Sequence, residues 1–233
     1  MNISKSLHKQ VVNMKILETR LKEVYPGYFK DGDTMIFAQE FDESFTASIL
    51  EIGANEEPIA QALFDIGYLD VTGIDLFHYK YKANFTFIQA NLFQYDFKGK
   101  LFDVIICLST VEHMGLNVYS QKEKEDKDIE TMHKIASLLK PNGVVYLTIP
   151  FGIHFKVVSS PARIYTTETI QSRITPLFRV EKRLYFMMYN LGIIKAGTII
   201  SLEQVQSIKG LNSGIFLKLR KRTTWKEDTY LLG

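Results

Sequence analysis

Two spacings of hydrophobic residues divide this chain into helical and extended stretches. Over residues 3–24, apolar positions recur every three or four residues with charged residues between them, which predicts an amphipathic helix. Pro26 and Gly27 predict the end of that helix. Residues 28–46 follow neither spacing, and the sequence Asp31-Gly32-Asp33 within them predicts a turn-rich loop.

From residue 48 onward, short apolar runs alternate with stretches of helical spacing. The near-continuous apolar run at residues 102–108 is typical of a strand buried on both faces. Pro141-Asn142-Gly143 predicts a break between a helix and the next strand. The predicted strands are residues 48–52, 71–75, 85–89, 102–108, 144–149, 179–188 and 215–219, and the predicted helices are residues 57–67, 124–140 and 167–177, the last capped by Thr167. This alternation predicts an α/β fold with a mainly parallel sheet.

Composition and charge narrow the class of protein. The 28 basic and 26 acidic side chains give a formal charge of +2, which argues against nucleic acid as the main partner. Cys107 is the single cysteine of the 233 residues, so neither an intrachain disulfide nor a thiolate zinc site is expected. A reducing, cytoplasmic location is therefore predicted. No apolar run reaches the length of a membrane span, so none is expected.

The ends of the first two predicted strands carry the first chemical signal. The first strand ends in Glu51-Ile52-Gly53-Ala54-Asn55, and the second ends in Gly73-Ile74-Asp75. A glycine after the first strand lets the backbone approach a ligand closely, and an acid after the second can accept hydrogen bonds from ribose hydroxyls. Together they predict a cofactor that contains adenosine. The alternative is an ordinary strand-to-helix turn with a surface aspartate.

The segments that follow extend this signal. FDVIICLSTVEHMGL spans the fourth predicted strand, and LLKPNGVVYLTIP spans the fifth. With residues 50–55, 71–75 and 87–92, these segments resemble the class I S-adenosylmethionine-dependent methyltransferases over residues 48–150. The Ser-Thr-Val-Glu-His-Met-Gly-Leu sequence is similar to an uncharacterised branch of that superfamily.

This resemblance implies the architecture and the cofactor. The implied fold is a Rossmann-like, seven-stranded, mainly parallel sheet with helices on both faces. The implied cofactor is S-adenosyl-L-methionine, with S-adenosyl-L-homocysteine as its product. We expect an N-terminal helical cap region at residues 1–46 and the methyltransferase domain at residues 47–233, within a single domain overall.

The resemblance also implies the residues that bind the cofactor. Asp75 matches the ribose-binding acid, Asn91 stands where an aspartate usually reads the adenine amino group, and Ser109 matches the strand end that usually faces the cofactor's amino group. The implied set is Glu51, Gly53, Ala54, Asn55, Asp75, Leu76, Asn91, Leu92 and Ser109.

The first loop departs from the family's pattern because it lacks the second and third glycines. Asparagine is the side chain most tolerant of a left-handed backbone after glycine, so Asn55 is expected to fill one of the glycine roles. The competing interpretation is a more open loop with weakened cofactor binding.

Candidates for the reaction follow the fourth strand. His113 is the candidate general base, since an imidazole titrates in the useful range, and Glu112 is a candidate to orient it. A histidine that packs on the cofactor and a structural glutamate are the alternatives. Candidate acceptor-binding residues are His154, Arg163, Tyr165 and Tyr119, against the alternatives of an exposed loop histidine and a solvated arginine. No spacing of His, Asp and Glu predicts a metal site.

These features predict a methyltransferase that acts on a small or glycan-linked hydroxylated acceptor, such as a sugar or a nucleotide sugar. Oxygen is favoured because no Asn/Asp-Pro-Pro-Tyr/Phe motif, typical of methylation at amino nitrogen, follows the fourth strand. The N-terminal helix is a candidate cover for the pocket or a contact in a homodimer. The alternatives are a non-catalytic or regulatory protein that keeps the fold and, with less support, an NAD-dependent dehydrogenase.

Overall fold

The computed structural model describes residues 15–23, 31–55, 58–80, 82–118, 123–159, 161–208 and 212–222. The helices are α1 at residues 15–23, α2 Gly32–Glu40, α3 Ile59–Asp65, α4 Lys127–Leu138, α5 Thr167–Thr169 and α6 Leu202–Ser207. The strands are β1 Ile49–Ile52, β2 Val71–Asp75, β3 Thr86–Gln89, β4 Phe102–Leu108, β5 Leu139–Pro150, β6 Lys156–Val157, β7 Arg163–Ile164, β8 Phe178–Met187, β9 Ile199–Ile200 and β10 Ser213–Lys221.

The central sheet has the strand order β3-β2-β1-β4-β5-β10-β8-β9. Strands β1 to β5 are mutually parallel, and β10 and β8 pair antiparallel at one side. The predicted mainly parallel α/β fold is confirmed, although the two-residue edge strand β9 makes the sheet eight-stranded rather than seven-stranded. The chain reverses its direction of winding between β1 and β4, which is where ligands bind in such sheets.

Two hydrophobic cores cover the two faces of the sheet. Alternate residues of β4 serve different cores: Ile105 and Cys107 face α4, whereas Val104 and Ile106 face the core that contains α3. This division explains the continuous apolar run of β4, since each side chain is buried whichever way it points. Cys107 is buried, as a small apolar residue would be.

The N-terminal region is more ordered than the sequence predicted. The turn-rich loop expected at residues 28–46 is wrong for its central part, where α2 begins at Gly32. Gly32 is required there because its N–H donates to the Met188 carbonyl at 2.9 Å, and a Cβ would collide with the Met187 carbonyl. Ile36 and Phe37 of α2 are fully buried, so close packing on β8 replaces the usual polar face of a helix.

The predicted N-terminal helix at residues 3–24 is confirmed where it is described. Residues 15–23 are helical, and the rest of that prediction lies outside the described residues. Leu17 and Leu21 are buried in the same core as Ile49 of β1. The cap region expected at residues 1–46 therefore shares a core with the following domain, and the boundary at residue 46 stays a prediction.

Two further boundaries differ from the sequence prediction. The predicted break at residues 141–143 lies within β5, which starts at Leu139, and Asn142 bends the strand with a φ of 61°. The helix predicted at residues 167–177 is a short α-helix that continues as a wider turn at Ile170–Ile174, with Thr166 rather than Thr167 as its cap. Thr166 and Thr169 exchange side-chain and main-chain hydrogen bonds, which fixes this start.

Candidate active site

The ends of β1 and β4 meet at the point where the sheet reverses its winding. Gly53 follows β1 with a φ of 86°, a left-handed conformation that favours glycine. A Cβ at this position would collide with the side-chain oxygen of Thr110, which follows β4. The Thr110 hydroxyl donates to the Leu108 carbonyl at 2.8 Å, which fixes the threonine against the glycine. The single glycine of the loop is therefore needed for the contact between the two strand ends.

Glu51 is the buried acid of this loop, with 2% of its surface exposed. Its carboxylate accepts a hydrogen bond from the N–H of Ala60, in the first turn of α3, at 2.8 Å. Burial raises the pKa of Glu51 to about 8, and the nearby Asp75 charge adds to this rise, whereas the Ala60 N–H opposes it. Glu51 thus ties the loop to the start of α3.

Asp75 ends β2 as a partly buried carboxylate, held by the backbone on both oxygens. Oδ2 accepts from the N–H of Asn55 at 3.2 Å, and Oδ1 accepts from the N–H of Phe77 at 2.9 Å. Each carboxylate oxygen has two lone pairs, so a bidentate hydrogen bond to a ribose diol remains feasible. Leu76 and Phe77 beside it are exposed apolar side chains, of the kind an adenine ring would cover.

Asn55 does not take the glycine role expected of it. Among the described residues other than glycine, positive φ values occur at Lys98, Ser109 and Asn142, and Asn55 is not among them. It contributes its backbone N–H to Asp75 instead. The expectation of a left-handed Asn55 is therefore wrong, and the loop contacts Asp75 without that backbone conformation.

The other expected cofactor residues lie near the neighbouring strand ends. Asn91 follows β3, and its side-chain oxygen accepts from the N–H of Phe93 at 2.9 Å, which leaves a second lone pair for a ligand. Leu92 and Ala54 are buried, so both support the site by packing. Their roles toward the cofactor stay predictions.

Ser109 connects the ends of β4 and β5 in a strained backbone conformation. Its φ is 41°, which is uncommon for a residue with a side chain. Its N–H donates to the carbonyl and to the side-chain oxygen of Thr148, at 3.1 and 3.0 Å. Its hydroxyl is buried without a hydrogen-bond partner among the described residues. A buried polar atom of this kind needs a partner that the described residues do not supply.

His113 lies in a single turn of tight helix, residues Val111–His113, directly after β4. Its Nδ1 is 2.6 Å from the carbonyl oxygen of Pro161, so Nδ1 carries the proton and donates it in this bond. Nε2 then holds the lone pair, 4.0 Å from Oε1 of Glu112. Burial lowers the pKa of His113, the Pro161 carbonyl opposes this, and the Arg163 charge lowers it further. His113 is therefore a neutral imidazole at pH 7.

Arg163 and Tyr165, the expected acceptor-binding residues, are both buried and hydrogen-bonded within the fold. Arg163 is 2% exposed and donates to the carbonyls of Met114 at 2.6 Å and Glu125 at 2.9 Å. Tyr165 is fully buried and donates to the Asp128 carboxylate at 2.9 Å. The solvated-surface alternative is wrong for Arg163, because it is buried and ties the loop after His113 to the segment before α4. The acceptor-binding roles of Arg163 and Tyr165 stay predictions.

The two remaining acceptor candidates are less informative. His154 is exposed in the loop between β5 and β6, and its role stays a prediction. Tyr119 lies outside the described residues. Within the ranges that are described, no three His, Cys, Asp or Glu side chains converge as metal ligands.

Two functional candidates escaped the sequence analysis because they come from the start of α2. Asp33 is 4% exposed and lies beside the hydroxyls of Thr148 and Ser109. Asp31 is an exposed residue nearby, and both charges act on the exposed Tyr189, which follows β8. The sequence Asp31-Gly32-Asp33 predicts a loop. Its glycine is needed for the close packing of α2, and nothing in these three residues indicates a functional site.

The chain belongs to the family of methyltransferase domains, whose sequence profile matches residues 25–182. This family is one of the S-adenosylmethionine-dependent enzymes, so the methyltransferase activity and its cofactor, both implied by the resemblance, are confirmed. The nicotinamide-dependent alternative is set aside by the same match. No curated sequence of another protein matches the chain.

Solved structures show the same fold at low sequence identity. Coclaurine N-methyltransferase bound to N-methylheliamine and S-adenosylhomocysteine has a TM-score of 0.54 at 12% identity, over 92% of this chain and 88% of that one. The Burkholderia thailandensis 1,6-didemethyltoxoflavin-N1-methyltransferase has a TM-score of 0.52 at 13% identity, over 94% and 82%. An S-adenosylmethionine-dependent methyltransferase from Methanosarcina mazei has a TM-score of 0.53 at 15% identity, over 77% and 94%.

The described helices also bear on the membrane prediction. None of them combines the length and the apolar character that crossing a bilayer requires.

Proposed function

We propose that this methyltransferase modifies a hydroxyl oxygen of a small or glycan-linked acceptor, with His113 as the general base. The observation that supports this most directly is the fixed tautomer of His113. Its Nδ1 donates a proton to the carbonyl oxygen of Pro161, which lies 2.6 Å from Nδ1, so Nε2 is the basic nitrogen. A hydroxyl acceptor needs such a base, because its proton must leave as the new bond to carbon forms.

The residues at the ends of β1 to β3 would hold the cofactor. In this proposal Asp75 accepts the ribose hydroxyls, Leu76 packs on the adenine and Asn91 accepts from its amino group. S-adenosylmethionine, when bound, supplies a methyl group on a positively charged sulfur that a nucleophile can displace. The contacts of Asp75 with two main-chain N–H groups position its carboxylate before a ligand arrives, which lowers the entropic cost of binding.

His113 would take the acceptor's proton at Nε2. The lowered pKa keeps the imidazole unprotonated at neutral pH, so it is ready to accept a proton. Glu112 Oε1 lies 4.0 Å from Nε2, and in this proposal Glu112 helps to orient the imidazole ring. Because Arg163 holds the loop on the other side of His113, the ring keeps its position through this transfer.

An amine acceptor is the competing candidate for the methylated atom. Two of the proteins with the same fold are named as N-methyltransferases. A neutral amine has its own lone pair and depends less on a base in the transition state. Replacement of His113 therefore separates the two possibilities.

The test combines cofactor binding with turnover. We expect isothermal titration to show binding of S-adenosylhomocysteine to the wild-type protein, and a screen of hydroxylated acceptors, sugar nucleotides first, to show methyl transfer. His113→Ala should lower turnover about a hundredfold or more while leaving cofactor affinity nearly unchanged. His133→Ala, an exposed histidine on α4, is the matched control and should change neither.

Three outcomes would contradict the proposal. A fall in turnover of only about twofold in His113→Ala would remove the base from the mechanism. Methylation found on nitrogen would replace the acceptor class. Failure to bind S-adenosylhomocysteine at millimolar concentration would favour a non-catalytic protein that keeps the fold.

The partner of the protein and its cellular location are proposals of the same kind. We propose a small-molecule or glycan-type acceptor rather than nucleic acid, because the formal charge is only +2. A cytoplasmic location is supported by the cysteine content, which is a single residue that is buried. A homodimer through the N-terminal helix would be tested by analytical ultracentrifugation.

A further inference from the structure

Two buried carboxyl groups in the acceptor region each have one oxygen without a well-aligned hydrogen-bond partner, although the Ser109 hydroxyl lies beside both. Asp33 is 4% exposed and Glu112 is 1% exposed. Oδ1 of Asp33 and Oε2 of Glu112 are both buried, and neither makes a hydrogen bond with any described residue. Burying an unpaired carboxylate oxygen costs free energy, so the fold gains nothing from these two atoms as they stand.

The two acids come from distant parts of the chain and share their surroundings. Asp33 lies at the start of α2, which is anchored to β8 by the bond from Gly32 to Met188. Glu112 lies in the turn after β4, beside His113. The Ser109 hydroxyl is a neighbour of both carboxyls, and its own oxygen is buried and unpaired. Three unpaired polar atoms therefore cluster at the ends of β4 and β5.

The charge of this cluster is not balanced by a cation of the described chain. No Lys or Arg in the described ranges forms an ion pair with Asp31, Asp33 or Glu112. Arg163 comes nearest, but it donates to the main-chain carbonyl of Glu112 at 3.4 Å, not to the carboxylate. Burial raises the pKa of Asp33 and of Glu112. The Asp33 charge adds to the rise at Glu112, and the Asp31 charge adds to the rise at Asp33, whereas the Ser109 hydroxyl opposes both.

An exposed aromatic ring lies at the edge of the cluster. Tyr189 is 47% exposed. Partial burial raises its pKa, and the charges of Asp33, Asp31 and Glu112 add to the rise, which places Tyr189 within their reach. Carboxylates, a hydroxyl and an aromatic face are the groups that recognise an alkylammonium ion. Tyr189 and Asp31 are both exposed, so this edge of the cluster faces solvent.

We propose that Asp33 and Glu112 bind an alkylammonium group carried by the acceptor, so that the substrate class is a hydroxylated amine such as an amino sugar. This inference rests on the proposed function, since it places the amine beside His113. The acceptor is the favoured source because Glu112 Oε1 lies 4.0 Å from the proposed base, and Asp33 comes from α2 rather than from the ends of β1 and β2. The cofactor's own ammonium is the other source of the same chemistry.

The test compares matched sugars with and without a positive charge. Glucosamine, glucose and N-acetylglucosamine are titrated into the wild-type protein with and without S-adenosylhomocysteine. We expect glucosamine to bind at least about tenfold more tightly than either neutral sugar. Equal binding of the three, or binding of none, would overturn the proposal.

Two isosteric variants identify the residues. Asp33→Asn and Glu112→Gln should each remove the preference for glucosamine while the melting temperature stays the same or rises, because a costly buried acid is gone. Glu203→Gln, an exposed acid in the first turn of α6, is the control and should keep the preference. A lower melting temperature in both site variants would assign them a structural role and overturn the inference.

A second arm separates the acceptor from the cofactor. S-adenosylhomocysteine carries an ammonium, whereas 5′-methylthioadenosine lacks the amino acid part. If Asp33→Asn weakens the first ligand and not the second, the acids serve the cofactor and the acceptor assignment is wrong. If glucosamine is preferred but no methyl is transferred, the binding site stands and the proposed function fails instead.

Discussion

Glu51 and Asp75 bind main-chain N–H groups through their carboxylates, whereas Asp33 and Glu112 each leave a buried oxygen unpaired. The first pair lies at the ends of β1 and β2, in what we call the cofactor half of the site. The second pair lies at the start of α2 and after β4, in what we call the acceptor half. The cofactor half has its acids positioned by the backbone before a ligand binds, and the acceptor half has acids that still need a partner.

This difference indicates how each half is maintained by the fold. Hydrogen bonds from loop N–H groups make the cofactor half part of the secondary structure, so it forms when the strands form. The acceptor half depends on α2 docking against β8 and on a backbone conformation at Ser109 that costs free energy. We therefore expect substitutions in the two halves to differ in their effect on cofactor affinity.

The largest expected effect is the pH dependence of folding that arises from Glu51. Its pKa is about 8 in the folded chain, against 4.5 for the free side chain, because of burial. The folded state thus holds a proton that the unfolded state has lost, so its contribution is complete below about pH 4.5 and is lost as the pH rises to about 8. The ligand-free protein should lose roughly 3–5 kcal/mol of stability over this window.

Urea unfolding between about pH 5 and about pH 8 checks this, with Glu51→Gln as the variant. The amide still accepts from the Ala60 N–H, so the variant removes the titration and keeps the bond. Its stability should fall less with pH than that of the wild type. Glu112→Gln should also reduce the pH dependence of stability, in the same direction, because burial raises the pKa of Glu112 as well. Parallel pH profiles for Glu51→Gln and the wild type would contradict the prediction.

The next effect concerns cofactor affinity in the cofactor half. Asp75→Ala should weaken binding of S-adenosylhomocysteine by roughly 1.5–3 kcal/mol, because it removes the charged acceptor for the ribose hydroxyls. Isothermal titration measures this loss. Asp33→Asn, in the acceptor half, should leave the same affinity unchanged.

Either of two results would break the comparison between the halves. Unchanged affinity in a folded Asp75→Ala protein would remove the ribose role from Asp75. A loss in Asp33→Asn as large as in Asp75→Ala would mean that both halves bind the cofactor.

The sequence predicted the cofactor half better than the acceptor half for a physical reason. Glu51, Gly53 and Asp75 follow short apolar runs directly, and the carboxyl ends of parallel strands meet at one edge, so sequence order alone brings them together. Asp33 and Glu112 are far apart in the chain, and their proximity depends on how α2 packs. Because α2 is buried on several sides, its apolar residues do not follow the three- and four-residue spacing that predicts a helix.

Arg163 is a second case in which the sequence does not predict the surroundings of a buried charged residue. A lone arginine is usually a surface residue, yet Arg163 is buried because three main-chain carbonyls converge on its guanidinium. The pattern of side chains along the sequence does not reveal main-chain acceptors of this kind. The type and order of the strands were therefore predictable, while the partners of buried charged groups were not.

The smallest expected effect tests the strain in the acceptor half. Ser109 has a φ of 41°, and a left-handed conformation costs a residue with a side chain roughly 1–2 kcal/mol. Glycine relieves this cost but loses more backbone entropy on folding, so Ser109→Gly should stabilise the protein by roughly 0.5–1 kcal/mol. Urea unfolding at constant pH measures the change.

Ser109→Ala separates the strain from the hydroxyl. Alanine keeps the Cβ and therefore the strain, while it removes the buried oxygen that lacks a partner. If the hydroxyl is held for a ligand, Ser109→Ala should match or exceed the wild type in stability and bind glucosamine less well. A clear loss of stability in Ser109→Ala would show instead that the fold itself needs the hydroxyl, and the contrast between the two halves would then rest on Asp33 and Glu112 alone.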